Sequence, residues 1–194
     1  MKQVCVFCGS SFGARAAYKK AAQSMGTTIA QRGLGLVYGG GNVGLMGVVA
    51  DAVLNNGGQV IGVMPEMLAA KELFHQGLTQ LHIVSSMHER KALMASLSDA
   101  FIAMPGGYGT FEEFCEILTW TQLGLHQKPS GLLNIEGYYN PLIQLFDRAT
   151  TEGFVRPDHR SLVLEATEPE VLLDLLTDYC PTTIEKWIRQ DSES

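Results

Sequence analysis

The sequence predicts an α/β fold: a single-domain, Rossmann-like, doubly wound and mainly parallel sheet flanked by helices. Three observations carry that prediction. Short β-rich runs alternate with longer helical stretches along the chain, which implies crossover connections and a parallel sheet. Several of the strand runs are continuously apolar, such as Val-Ile-Gly-Val-Met at 60–64 and Ala-Phe-Ile-Ala-Met at 100–104, as expected where helices cover both faces. Glycine-rich turns follow three of the strands.

The elements are read in order. Strands are expected at 4–8, 36–38, 60–64, 81–84, 100–104, 131–134 and 162–165. Helices are expected at 16–31, 45–56, 87–98, 111–123, 141–152 and 169–179. Gly33 and the pair Gly57-Gly58 follow the first two helices as stop signals, and Pro65 ends the third strand. Residues 69–80 form the least regular stretch and read as a mobile loop over the site. The domain is expected to span 1–181, with 182–194 as a polar C-terminal tail.

A chain of 194 residues suits one domain with a full-sized core. Hydrophobic residues make up 46% and charged residues 18%, ordinary values for a globular protein. The net charge of −6 argues against duplex DNA or RNA as the main partner, because such proteins carry a basic face. A small anionic ligand needs only a few local donors and stays open. The chain enters an apolar strand at Val4 and meets a glycine at Gly9, too soon for a signal-peptide core, and no apolar run reaches membrane-spanning length. A cytoplasmic protein with no membrane partner is expected.

Cysteines stand at positions 5, 8, 115 and 180. Cys5 and Cys8 have the spacing of a redox or zinc pair. They lie in a strand, however, where side chains three apart point to opposite faces. Redox pairs of this spacing open a helix, and zinc sites need a second ligand pair. The reading is four reduced cysteines, no metal and no cofactor.

In a parallel sheet the loops after the strands emerge together at the carboxyl edge, where ligands bind. Three of them are glycine-rich: Gly9-Ser10-Ser11, the run from Gly39 through Gly40 and Gly41 to Gly44, and the run from Pro105 through Gly106, Gly107 and Gly109 to Thr110. Glycines let backbone amides approach an anion, and helix N-termini add free donors and a favourable dipole. A phosphate-bearing ligand is one reading; simple tight turns are the other. Gly39, Gly41 and Gly44 also fit G-x-G-x-x-G, but after the second strand rather than the first.

Arg90 shares a helical stripe with Met87, Met94 and Leu97. An arginine on an apolar stripe needs an anionic partner, so it meets a ligand, meets a carboxylate, or extends its stem to solvent. Lys91 reads as a surface residue able to reach a ligand. Thr110 and Glu113 fit a capping box, with Thr110 as N-cap and Glu113 three residues in. Glu113 also shares a stripe with Ile117 and Trp120 and so faces inward. Glu112 and Glu116 read as a solvated face.

These residues carry a family resemblance. Met87-His-Glu-Arg-Lys91, Pro105-Gly-Gly-Tyr-Gly-Thr-Phe-Glu-Glu113, and Gly39-Gly-Gly-Asn-Val-Gly-Leu-Met-Gly47 resemble the LONELY GUY (LOG) family of cytokinin riboside 5′-monophosphate phosphoribohydrolases. The stretch 120–129, followed by Gly-Leu-Leu-Asn at 131–134 and Gly-Tyr-Tyr-Asn at 137–140, is similar to the family too. The resemblance covers nearly the whole chain. It implies hydrolysis of the N-glycosidic bond of a purine nucleoside 5′-monophosphate to free base and ribose 5-phosphate, without metal or cofactor. It implies Arg90 and Glu113 as the catalytic pair. Gly107, Tyr108, Gly109, Thr110, Phe111 and Glu112 would form the phosphate and ribose loop beside Gly106. Glu72, Lys91 and Thr119 match further substrate-contacting positions, and Gly40 and Gly41 belong to the second glycine loop. A homodimer is implied as well. Members often bear the label lysine decarboxylase, yet no residue pattern here marks the Schiff-base lysine of a pyridoxal-phosphate site. The alternatives are a general AMP nucleosidase of salvage and a non-catalytic nucleotide-binding protein.

Overall fold

The structure is a computed structural model that describes residues 1–70 and 74–181. Glu72 and the expected tail at 182–194 lie outside the described residues. The described residues form one sheet of seven parallel strands in the order β4-β3-β2-β1-β5-β6-β7. The strands are β1 (Gln3–Phe7), β2 (Gly35–Tyr38), β3 (Val60–Pro65), β4 (Gln80–Val84), β5 (Ala100–Ala103), β6 (Ser130–Leu133) and β7 (Val163–Ala166).

The principal helices are α1 (Ala16–Gln31), α2 (Gly44–Asn55), α4 (Met87–Leu97), α5 (Tyr108–Gln122), α6 (Asn140–Thr151) and α8 (Pro169–Thr177). Three short turns of helix, α3 (Glu66–Ala69), a 3₁₀ turn at Ile135–Gly137, and α7 (Pro157–Arg160), were not expected from the sequence. Segments of three or four residues are too short to carry a hydrophobic period. Within the stretch read as a loop, Phe74 pairs with Gly41 in an isolated bridge.

The strands' period of two divides the core. Val4, Val6 and Cys8 face one cluster with α1, α2 and α8, whereas Cys5 and Phe7 face the other with Met94 of α4 and Ile117 of α5. The two cysteines of the C-x-x-C are therefore buried on opposite faces, and all four cysteines are free. β1 pairs with β2 on one side and β5 on the other. The chain fills one half of the sheet through β4 before crossing to β5. That reversal of direction opens a crevice at the carboxyl ends of β1 and β5, the place where open α/β sheets bind ligands.

Candidate active site

The loops after β1, β2 and β5 meet at this crevice. The Gly9 amide donates to the Pro105 carbonyl at 3.0 Å, and the Leu45 amide donates to the Gly9 carbonyl at 3.0 Å. A cavity of about 250 Å³ lies between the first and third loops, lined by Ser10, Ser11, Gly106, Gly107 and Tyr138 among others. Gly106 is a point of close approach. A Cβ there would stand 2.1 Å from Thr110 Oγ1 and 3.0 Å from the Gly9 amide nitrogen.

The third loop departs from the sequence expectation. Helix α5 begins at Tyr108, with Gly107 as its N-cap and no side chain capping it. Thr110 sits inside the first turn with its side chain buried, and Glu113 lies a turn further on. The capping box expected at Thr110–Glu113 is absent because the tight glycine turn starts the helix before Thr110. The opening amides of α5 thus remain available to an anion. Side-chain capping stands instead at the start of α4, where Ser86 is the N-cap. Ser86 accepts from the Glu89 amide, and the Glu89 carboxylate accepts from Ser85 N–H and O–H at 2.8 and 2.7 Å. The sequence shows the Ser-x-x-Glu signal there too.

That cap fixes the start of α4 one turn before Arg90. The Arg90 side chain spans three elements. Its Nε donates to the Val63 carbonyl of β3 at 3.1 Å, and its Nη1 donates to Glu113 Oε1 on α5 at 2.5 Å. Only about a tenth of either side chain is exposed. Of the three uses open to Arg90 in the sequence, the carboxylate partner is the one observed. Burial pushes the Glu113 carboxyl above its ordinary value, and the Arg90 guanidinium reverses part of that rise.

Lys91 is buried, not a surface residue. It donates to Glu112, and its Nζ lies 3.0 Å from the Glu116 carboxylate. Glu112 and Glu116 are therefore partners of a cation rather than a freely solvated face, although Glu112 stays exposed on its outer side. Burial alone would lower the Lys91 ammonium, but the two carboxylates outweigh it and hold its pKa above the ordinary value. Tyr108 projects into solvent at 92% exposure. Phe111 packs against Tyr138 and Tyr139. Gly40 and Gly41 do not line the crevice cavity: the Gly40 carbonyl accepts from His75 at 2.9 Å, and Gly41 is bridged to Phe74. Thr119 is not brought to the Arg90–Glu113 pair. It lines a separate groove with Cys115, Leu118 and Phe146, and its hydroxyl donates to the Cys115 carbonyl.

The profile of the family described as "Possible lysine decarboxylase" matches residues 46–176. The cytokinin riboside 5′-monophosphate phosphoribohydrolase LOG1 of Arabidopsis thaliana is 51% identical over 180 residues, covering 93% of this chain and 84% of that protein. The chain belongs to the LOG family. The cytokinin riboside 5′-monophosphate phosphoribohydrolase LOG3 of Arabidopsis thaliana is 48% identical over 93% of this chain and 84% of its own length. A probable enzyme of that activity in Oryza sativa subsp. japonica, LOGL2, is 51% identical over 93% and 74%. Among solved structures, the molybdenum cofactor binding protein of Rippkaea orientalis aligns with a TM-score of 0.69 at 24% identity, over 91% of this chain and 96% of that one. DNA processing protein A of Helicobacter pylori aligns at 0.56 and 16% identity, over 92% and 82%. At such identities the shared property is the fold.

Within this LOG-family chain, two parts of the site escaped the sequence reading of side chains. Val63 acts through its carbonyl, which no residue pattern reveals. Tyr138 donates its hydroxyl to the Gly106 carbonyl from a loop 32 residues away in sequence. Gly39 of the second glycine turn also makes room for Arg90: a Cβ there would stand 2.1 Å from Arg90 Nη2. As for the decarboxylase description, Lys91 is clasped by two carboxylates that raise its pKa, which ill suits it to attack a carbonyl as a free amine.

Proposed function

We propose that the protein hydrolyses the N-glycosidic bond of a purine nucleoside 5′-monophosphate, of the cytokinin riboside type named for its relatives, to free base and ribose 5-phosphate. The observation that carries this is the buried Arg90–Glu113 ion pair, one helical turn beyond the uncapped start of α5. The 5′-phosphate binds at the amides of Gly107, Tyr108, Gly109 and Thr110, where helix dipole and free donors favour an anion. That remote binding energy holds C1′ against Glu113. Breaking the C1′–N bond leaves positive charge on the ribose, an oxocarbenium-like state. Glu113, as the carboxylate, stabilises it and guides water to C1′; Arg90 orients Glu113 and offsets its burial. The electron pair of the broken bond leaves with the base, the water oxygen becomes the anomeric hydroxyl of ribose 5-phosphate, and the proton that the water gives up ends on the departing base nitrogen.

Incubating the purified protein with AMP and with isopentenyladenosine monophosphate, and separating products by chromatography, tests this reading. Free base and ribose 5-phosphate in equal amounts support it. No base from either nucleotide overturns it, as does undiminished release by the Glu113→Gln variant. The ratio of the two rates decides between a cytokinin substrate and general AMP salvage.

The active form in this proposal is a homodimer in the cytoplasm. Leu123 and Leu125, 54% and 68% exposed at the end of α5, offer apolar surface for a second copy. The four free cysteines suit a reducing compartment. Light scattering at twice the chain mass supports the dimer, and a monomer mass refutes it.

A further inference from the structure

The loop between β6 and α6 reaches the crevice cavity through Tyr138, which lines it and contacts the phosphate turn. Asn134 anchors it: its Oδ1 accepts from the Tyr139 amide at 2.8 Å, and its Nδ2 donates to Asn140 Oδ1 at 2.8 Å. Between them the backbone turns sharply through two consecutive left-handed residues, Glu136 (φ 50°) and Gly137 (φ 72°). A glutamate in that region carries strain, and strained residues persist where surrounding contacts overdetermine them. The Glu136 carboxylate accepts from Arg15 Nη1 at 2.8 Å.

The turn delivers two tyrosine hydroxyls to successive stretches of the third loop. Tyr139 donates to the Met104 carbonyl at 2.6 Å, and Tyr138 donates to the Gly106 carbonyl. The Tyr138 ring also meets Tyr18 of α1 edge-on, with centroids 5.6 Å apart. Tyr138 thus touches both sides of the cavity it lines.

We infer that Tyr138 is a positioning residue for phosphate: by fixing the Gly106 carbonyl, it sets the direction of the Gly107 amide that opens the anion-binding turn. The peptide plane makes this mechanical. In a trans peptide the carbonyl of one residue and the N–H of the next point in opposite directions. Holding Gly106 C=O on the Tyr138 hydroxyl leaves Gly107 N–H one orientation, where an unclamped glycine-glycine peptide would rotate. The inference rests on the proposed nucleotide site, but it concerns the phosphate half of it alone.

The test compares the parent with Tyr138→Phe, which removes one oxygen and keeps the ring contacts. Calorimetric titration with ribose 5-phosphate should show binding weakened by about tenfold, the scale of one lost hydrogen bond. With AMP, KM should rise by a similar factor while kcat stays within about twofold. Asn134→Ala, which loosens the same loop from outside the cavity, should weaken ribose 5-phosphate in the same direction; it serves if Tyr138→Phe does not fold. Equal ribose 5-phosphate affinity in parent and folded variant overturns the inference. So does a fall in kcat alongside a lowered melting temperature, the mark of general structural damage. A parent that binds ribose 5-phosphate no better than ribose overturns it as well. A parent that binds ribose 5-phosphate but releases no base from any nucleotide defeats the proposed reaction and leaves the Tyr138 comparison decisive.

Discussion

A Cβ on Gly39 would stand 2.1 Å from Nη2 of Arg90: the glycine just after β2 leaves the space in which the guanidinium crosses from β3 to α5. Arg90 cannot yield without loss, because Val63 and Glu113 hold it at 3.1 and 2.5 Å. Gly39→Ala is therefore expected to displace the guanidinium by an ångström or so and to reduce kcat/KM by about a hundredfold. Circular dichroism should show the fold retained. Parent-like activity in Gly39→Ala would refute the packing argument.

Glu113 has no capping duty, since α5 starts at Tyr108. Glu113→Gln should accordingly keep the helix and lose the chemistry. The expected cost is about a thousandfold in kcat, typical of removing one charge-stabilising group at a transition state. Arg90→Ala should lose as much activity and also destabilise the fold, because it leaves Glu113 buried without its cation. Base release followed by chromatography, and thermal melting of each variant, check the contrast.

The rate should also report Glu113's protonation. Only the carboxylate stabilises positive charge on the ribose, and burial raises its pKa above the ordinary glutamate value, with Arg90 opposing. kcat/KM should thus fall as pH drops through a midpoint above about 4.5. Removing the opposing charge in Arg90→Gln should move the Glu113 titration higher still, as followed by carboxyl-carbon NMR. A midpoint that moves down would contradict the electrostatics. The stability linkage has the same sign: a raised folded pKa means this group favours folding most in acid, and that contribution is lost as pH rises through the raised pKa.

His126 carries the opposite signature. Its Nδ1 accepts from the Lys128 amide at 3.2 Å, and its ring packs on Phe101 with centroids 5.4 Å apart. Burial, with the Lys128 charge adding to it, lowers the imidazole pKa from 6.5 to about 4. The unfolded chain takes up this proton first, so stability present above pH 6.5 is lost as pH falls toward 4. Partial exposure reduces the effect to about 1 kcal/mol, or roughly 3 °C in melting temperature for a chain of this size. His126→Gln should flatten that part of the pH–melting curve.

Much of the fold was legible because its signals are local. Continuous apolar runs such as 100–104 need nothing beyond their neighbours to read as strands buried on both faces. The glycine turns could be assigned to one edge because parallel strands all exit there. The Thr110–Glu113 box misled because a capping pattern states what a side chain is able to do, and the turn at Gly106 and Gly107 decided otherwise. Lys91 misled for a related reason. Its helical position marks it as off the apolar stripe, but only the packing of α4 against α5 puts Glu112 and Glu116 around it.

The sequence by itself determined the alternation of elements, the parallel sheet, the three glycine loops at one edge, and the family to which the residues belong. Tertiary structure alone decided that Arg90 meets Glu113, that Gly39 clears its path, and that Tyr138 clamps the turn at Gly106. The physical reason is range. Secondary structure follows from patterns a few residues long. A buried ion pair between α4 and α5 depends on where two helices come to rest on a sheet, which the whole core sets at once.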